Sequence, residues 1–269
     1  YTITYANGAM AITQRALTVT ASNQNTSYGT SYALGTSAFA SSGLVNSDAV
    51  SSVTLEYGGA TTVPNTTNAG TYSGGIVPSA ASGTGLSNYS ITYVAGNLSI
   101  ETKALAITAS TQNSTYGSSY SLGSSAFTTS GLVNSDAVNS VTLLYSGNNS
   151  VAPTVNAATY SSSIVPSAAS GTGLSNYTIS YVSGNLVVDK ATLTITPIAK
   201  EVVYNASVLN KATYSVNASN YTISGYKNTD DATNVPVSLS GVMLFAGSSG
   251  ATVQNAGTYS LAVGSLAGT

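Results

Sequence analysis

Gly43-Leu44-Val45-Asn46-Ser47-Asp48-Ala49-Val50 returns letter for letter as Gly131-Leu132-Val133-Asn134-Ser135-Asp136-Ala137-Val138, 88 positions later. The same spacing carries Tyr28-Gly29 to Tyr116-Gly117, Phe39 to Phe127, Tyr72 to Tyr160 and Pro78 to Pro166. Self-similarity at a fixed period is the mark of a tandem array. A unit of this length can close its own hydrophobic core, because domains of about 60 residues already fold alone. The expectation is therefore a string of domains, not a thin solenoid.

Working outward, the opening Tyr1-Thr2-Ile3-Thr4-Tyr5 matches Tyr89-Ser90-Ile91-Thr92-Tyr93, and Gly8 and Ile12 match Gly96 and Ile100. Residues 1–14 read as the closing hairpin of a preceding repeat. Residues 15–102 form the first full repeat, 103–190 the second, and 191–269 a divergent third without its closing hairpin. In the third, Leu193-Thr194-Ile195-Thr196 matches Leu105-Ala106-Ile107-Thr108, and Tyr204 keeps the register of Tyr116 with Asn205 in place of glycine. Asn255-Ala256-Gly257-Thr258-Tyr259 repeats Asn68-Ala69-Gly70-Thr71-Tyr72 late, so insertions lie between. Two explanations of the offset frame stand. The chain, which starts at Tyr1 and reads as mature or excised, is a window of a longer array. Alternatively, chains assemble head to tail, one chain's first hairpin completing another's last domain by strand addition.

Leu17-Thr18-Val19-Thr20 and Val53-Thr54-Leu55-Glu56-Tyr57 alternate with a period of two, as half-buried strands do. Tyr89–Val94 and Leu98–Ile100 flank Ala95-Gly96-Asn97, which reads as a hairpin loop, and Pro78 reads as lying near a strand end. About seven short strands per unit point to an all-β chain of tandem immunoglobulin-like sandwiches. The alternative is a β-grasp-like unit with one short helix, for which Asn46–Val50 is the best candidate. Only four residues separate Ile100 from Leu105. Neighbouring domains should therefore hold a fixed orientation in an elongated array.

The chemical inventory is sparse. The 269 residues include no His, Cys or Trp, and six basic residues face eight acidic ones for a net charge of −2. General acid–base and thiol chemistry lose their usual carriers, and zinc, haem and iron–sulfur sites lose their main ligands. No enzyme and no cofactor is expected. Nucleic acid is excluded as a partner for want of clustered cations. No apolar run of 18 residues offers a membrane-spanning helix. A charged fraction of 5%, against about a quarter in ordinary soluble proteins, leaves solubility to Ser, Thr, Asn and Gly. Together with the missing cysteine this favours an exported protein.

Lys103 to Ala109, Tyr116-Gly117, Ser130 to Asp136, Asn68 to Tyr72, and Asn176 to Leu186 form an ordered string of motifs. This string resembles the MBG domain of bacterial surface proteins. The third repeat resembles the related YDG type, with Tyr204-Asn205-Ala206 departing from Tyr-Asp-Gly. The resemblance implies a large exported bacterial adhesin of the filamentous-haemagglutinin or two-partner-secretion kind, located extracellularly at the cell surface. It brings no catalytic residues.

The expected function is a structural stalk that projects a distal binding region or mediates cell–cell and biofilm contact. The alternatives are a carbohydrate-binding module and a self-assembling extracellular filament or surface-layer subunit. Expected partners are neighbouring repeats of the same long chain, other copies head to tail, and glycans. Asp48, Asp136, Asp230 and Asp231 are the calcium candidates, weighed against an Asx-turn role because calcium takes six to eight oxygens. Tyr57, Tyr145 and Tyr226 are the glycan candidates, since exposed aromatics stack on sugar faces. Ten Asn-x-Ser/Thr triplets are about what so much Ser and Thr gives by chance. Arg15 in the place of Lys103 argues against a shared Lys–Asn isopeptide bond.

Overall fold

The computed structural model describes residues 1–199, 201, 203, 209–210, 220–237, 239–240, 244–246, 252–253, 260–262 and 267–268. The first repeat builds β1 (Arg15–Ala21), β2 (Gln24–Ser27), β3 (Tyr32–Ala33), β4 (Phe39–Ser42), β5 (Ala49–Glu56), β6 (Thr62–Val63), β7 (Gly70–Thr84), β8 (Tyr89–Val94) and β9 (Gly96–Glu101). The second builds the same nine: β10 (Lys103–Ala109), β11 (Gln112–Thr115), β12 (Tyr120–Ser121), β13 (Phe127–Ser130), β14 (Ala137–Tyr145), β15 (Ser150–Val151), β16 (Ala158–Thr172), β17 (Tyr177–Val182) and β18 (Gly184–Asp189). The chain is all-β and its domains are tandem. Among the described residues the helical segments are two single 3₁₀ turns, Leu86–Asn88 and Leu174–Asn176.

In the first repeat β4-β1-β8 form one sheet and β2-β9-β7-β5 the other, with β3 and β6 a minimal pair. Alternation in β1 puts Leu17, Val19 and Ala21 inward, where they meet Val53, Leu55, Ile76, Leu98 and Ile100 in a buried core. Each sheet contains one parallel pair, β1 with β8 and β2 with β9. A purely antiparallel Greek key does not describe this topology. The last two strands of the repeat instead lie alongside its first two, and β9 sits inside its sheet between β2 and β7.

That closure corrects the expected hairpin at Ala95-Gly96-Asn97. β8 and β9 do not pair with each other; they belong to opposite sheets. The chain turns this corner at Gly96, where a Cβ would stand 2.5 Å from the Ala21 carbonyl oxygen and 2.8 Å from that of Ser22. The proposed helix at Asn46–Val50 is also absent. Asn46 and Ser47 both have positive φ, 57° and 62°, and Asp48 N–H donates to Val45 O at 3.0 Å. This is a primed β-turn, which the Asn-Ser-Asp letters favour as readily as a helix cap. Pro78 lies within β7 rather than near its end. It lies two residues past Ile76, the last residue of β7 paired with β9, and stays in register with Leu55 of β5. Residues 1–14, expected as a hairpin, carry no strand and are exposed throughout.

The described chain forms two compact units. One comprises Tyr1–Ala109, Phe127–Thr142 and Pro166–Val182; the other comprises Ser110–Ala126, Leu143–Val165 and Ser183–Thr269. The three-stranded sheet of the second repeat, β13-β10-β17, thus belongs to the same unit as the whole first repeat. In the second unit β19 (Thr194–Pro197) pairs antiparallel with β21 (Tyr221–Ser224) in the register of β10 with β13. The short strands β20 (Leu209–Asn210), β22 (Leu239–Ser240), β23 (Leu244–Ala246), β24 (Thr252–Val253), β25 (Ser260–Ala262) and β26 (Ala267–Gly268) complete the described elements.

Gly96→Ala should cost more than the roughly 1 kcal/mol typical of point mutants, read as a lowered denaturant midpoint. Gly8→Ala, with nothing within 4 Å of the added carbon, should leave that midpoint unchanged. Equal effects would refute the corner's role.

Candidate functional site: an interlock between repeats

The motif residues that repeat most faithfully meet across the junction of the first and second repeats. β2 ends at Ser27, and Tyr28 N–H donates to Glu101 O at 2.9 Å, which aims the Tyr28 ring out of its own repeat. The ring is buried and packs edge-on against Tyr177 of the second repeat, with centroids 5.5 Å apart. Its hydroxyl donates to Asp136 Oδ2 at 2.8 Å. The Tyr177 hydroxyl donates to that same oxygen at 2.7 Å and accepts from Val133 N–H at 2.9 Å. One carboxylate oxygen therefore joins two phenols, one from each repeat. Hydrogen bonds to a charged group contribute about 1.5–3 kcal/mol each, and the ring pair adds about 0.5–1.5 kcal/mol.

Gly29 completes the contact from above. A Cβ there would stand 2.6 Å from Val133 Cγ2, and its φ of +81° suits glycine. The Val133 turn is held by Asn65 from the first repeat. Asn134 Nδ2 donates to Asn65 O at 2.7 Å, and Asn65 Nδ2 donates to Asn134 Oδ1 at 3.0 Å. Beside it, Asn176 Oδ1 accepts from Ala69 N–H at 2.8 Å, and Asn176 Nδ2 donates to Asn68 Oδ1 at 3.2 Å. Burial of equivalent residues shows what the contact covers. Asn176 is buried whereas Asn88 is exposed, and Val45 is 38% exposed whereas Val133 is partly covered.

Parts of the same geometry recur in the second unit. Gly117 takes the place of Gly29 at φ +84° and abuts Lys227, which stands where Val133 stands. Asn228 Nδ2 donates to Pro153 O at 3.1 Å, as Asn134 does to Asn65. Asn228 has φ 56° against 54° for Asn134, and Asp230 N–H donates to Lys227 O as Asp136 N–H does to Val133 O. Gly225-Tyr226-Lys227-Asn228-Thr229-Asp230 is therefore a third copy of the Gly131–Asp136 loop, 94 positions on.

The calcium candidates fall into different roles. Asp48 accepts from Tyr89 at 2.8 Å within its repeat, and Asp136 joins two repeats. Asp230 lines a cavity in the second unit. Asp231 accepts from Thr233 and Asn234 N–H groups, which, with Asn234 first, hold its carboxyl below the usual range. Among the described residues no three acidic side chains gather in a metal-holding group. Of the glycan candidates, Tyr57 packs edge-on against Tyr72 and Tyr145 against Tyr160, at 5.5 and 5.9 Å. Burial, then the Tyr72 charge and hydroxyl, push the Tyr57 phenol up. Tyr226 lines the second-unit cavity, with its hydroxyl 3.4 Å from Val235 O. Tyr57 belongs to the first unit, Tyr145 and Tyr226 to the second.

Sequence reasoning found these motifs without their purpose. The signal was present: Val45 and Val133 are apolar letters repeated in a turn, where a solitary domain has no use for them.

A tandem array of β-domains, the first keyed into the second through a Tyr-Gly pair, is the class these features define. The chain belongs to the MBG domain (YGX type) family, matched over residues 17–99 and again over 105–187. It is a structural repeat family whose domains occur in extracellular surface proteins. No curated protein and no solved structure matches the chain.

Burial foremost pushes the Tyr177 phenol up to about 12, with Val133 N–H opposing and Asp136 and Tyr28 adding. A pKa raised on folding gives stability that is complete below the unfolded value of about 10 and lost as pH rises through the folded one. The junction should loosen between about pH 10 and 12, read as a late phenolate absorbance step that coincides with falling thermal stability. Tyr177→Phe should abolish that step. Gly29→Val, which strains φ and drives carbon into Val133, should lower stability by at least about 1–3 kcal/mol; an unchanged melt would contradict the close approach.

Proposed function

We propose that this chain is a spacer segment of a bacterial surface adhesin, its repeats holding a distal binding region away from the cell. The observation that carries this reading is the Tyr28–Asp136–Tyr177 bridge. It ties the first repeat to the second by side chains inside the motifs, so the joining of these two domains is encoded in the repeated residues. A stalk needs junctions that resist bending, and here the hydrogen-bonding side chains of Tyr28, Asn65, Asn68, Asn134, Asp136, Asn176 and Tyr177 hold one junction besides the covalent link. A nearly uncharged surface of hydroxyls and amides gives little for charged partners to grip, which suits a spacer. Carbohydrate binding draws less support, since Tyr72 and Tyr160 engage the edges or faces that Tyr57 and Tyr145 would offer a sugar.

Solution scattering tests the spacer. The expected result is a rod-like profile whose maximum dimension drops in Tyr28→Ala, as the junction becomes free to bend. A compact profile, or one insensitive to Tyr28, would overturn the reading.

A further inference from the structure

In each full repeat the opening and closing strands run side by side in the same direction. Arg15 faces Tyr89 and Thr20 faces Val94 in the parallel β1–β8 pair. Gln24 faces Leu98 and Ser27 faces Glu101 in the parallel β2–β9 pair. The offset is 74 residues at every step, so one register carries over from the first sheet to the second. Asn97 N–H donates to Asn23 Oδ1 at 2.8 Å and pins the corner between the two ladders. Tyr28 N–H, on Glu101 O at 2.9 Å, closes the far end. The second repeat has the same two ladders: Lys103 to Thr108 on Tyr177 to Val182, and Gln112 to Thr115 on Leu186 to Asp189. Tyr116 N–H closes them on Asp189 O at 2.9 Å.

This arrangement decides how tension crosses a repeat. The chain enters the first repeat at Arg15 and leaves it at Glu101, and Thr102 alone separates β9 from the start of β10 at Lys103. Force along the chain draws residues 15–27 toward Arg15 and residues 89–101 toward Glu101. In a parallel pair those pulls oppose each other along the strand axis. The evenly spaced ladder bonds are then loaded together, in shear. First and last strands that ran antiparallel would be pulled from one shared end and would unzip bond by bond. Sliding also meets the core. Leu17, Val19, Leu98 and Ile100 are buried, and a slip of one residue turns every side chain to the wrong face.

We propose that these paired ladders are a tension clamp, so that each full repeat bears load through its first and last strands. Residues 28–88 of the first repeat, and 116–176 of the second, stay outside the load path until the clamp breaks. In the first repeat the six pairs of β1–β8 and the four of β2–β9 give way as one event. The clamp deepens the spacer reading and rests on it for the source of the load, a pull between an anchored base and a held tip. Its geometry lies within single repeats, whereas the scattering test reads the junction. A compact scattering profile would fail the spacer and leave the rupture comparison standing.

Single-molecule force spectroscopy on the 269-residue chain tests it. The chain has no cysteine of its own, so cysteine pairs placed on exposed residues set the direction of pull. Thr13, Asn88 and Thr102 are all exposed. Thr13→Cys with Thr102→Cys loads the first repeat in shear. Thr13→Cys with Asn88→Cys pulls the same strands apart from their shared end, one pair at a time. Forced unfolding reports the unfolding rate and not equilibrium stability, so the two variants can melt alike and still differ under load. At one loading rate the expected rupture force is several-fold higher between residues 13 and 102 than between 13 and 88. Equal forces in the two directions, or a weaker one between 13 and 102, overturn the proposal.

Discussion

One carboxylate oxygen of Asp136, shared by the hydroxyls of Tyr28 and Tyr177, is the constraint on which the first junction depends. Leaving a half-buried charge with one of its partners removed costs more than the bond itself is worth. The bridge therefore acts as a check on geometry: Tyr28 must arrive in one position, with Gly29 flush against Val133, for the site to be satisfied. Asp48, whose phenol partner among the described residues is Tyr89 of its own repeat, shows the same socket holding one phenol where Asp136 holds two.

The bridge also explains why compactness does not follow the sequence repeat. Each repeat closes by laying β8 and β9, or β17 and β18, beside its opening strands, and that closing step delivers Tyr89 or Tyr177 to the socket. Domain closure and domain joining use the same residue. The first repeat and the three-stranded sheet of the second consequently cluster as one unit. A repeat lacking its closing strands would lack both a strand beside its first and half of its socket.

Much of this was legible in the sequence. The period, the β class and the alternating core of Leu17, Val19, Val53 and Leu55 followed from spacing alone. Two local readings failed for one reason. Ala95-Gly96-Asn97 has hairpin letters and Asn46-Ser47-Asp48 has helix-cap letters, but the long-range parallel pairing of β1 with β8 and the turn against Tyr89 decided both. The junction was legible only in part. Tyr28-Gly29 and Gly131–Asp136 stood out as repeated strings, yet their meeting requires one motif from each of two repeats. The third loop, Gly225–Asp230, escaped because its spacing is 94 and three of its six letters differ from those of Gly131–Asp136.

A double-mutant cycle on Tyr28→Phe and Asp136→Asn in the full chain measures the central interaction most directly. Contacting residues in one hydrogen-bond network couple by about 0.5–3 kcal/mol, whereas independent sites add within a few tenths. The expected coupling lies in that upper range, and the same cycle with Asp48→Asn in place of Asp136→Asn should give additivity. Additive effects of Tyr28→Phe and Asp136→Asn would contradict the interlock.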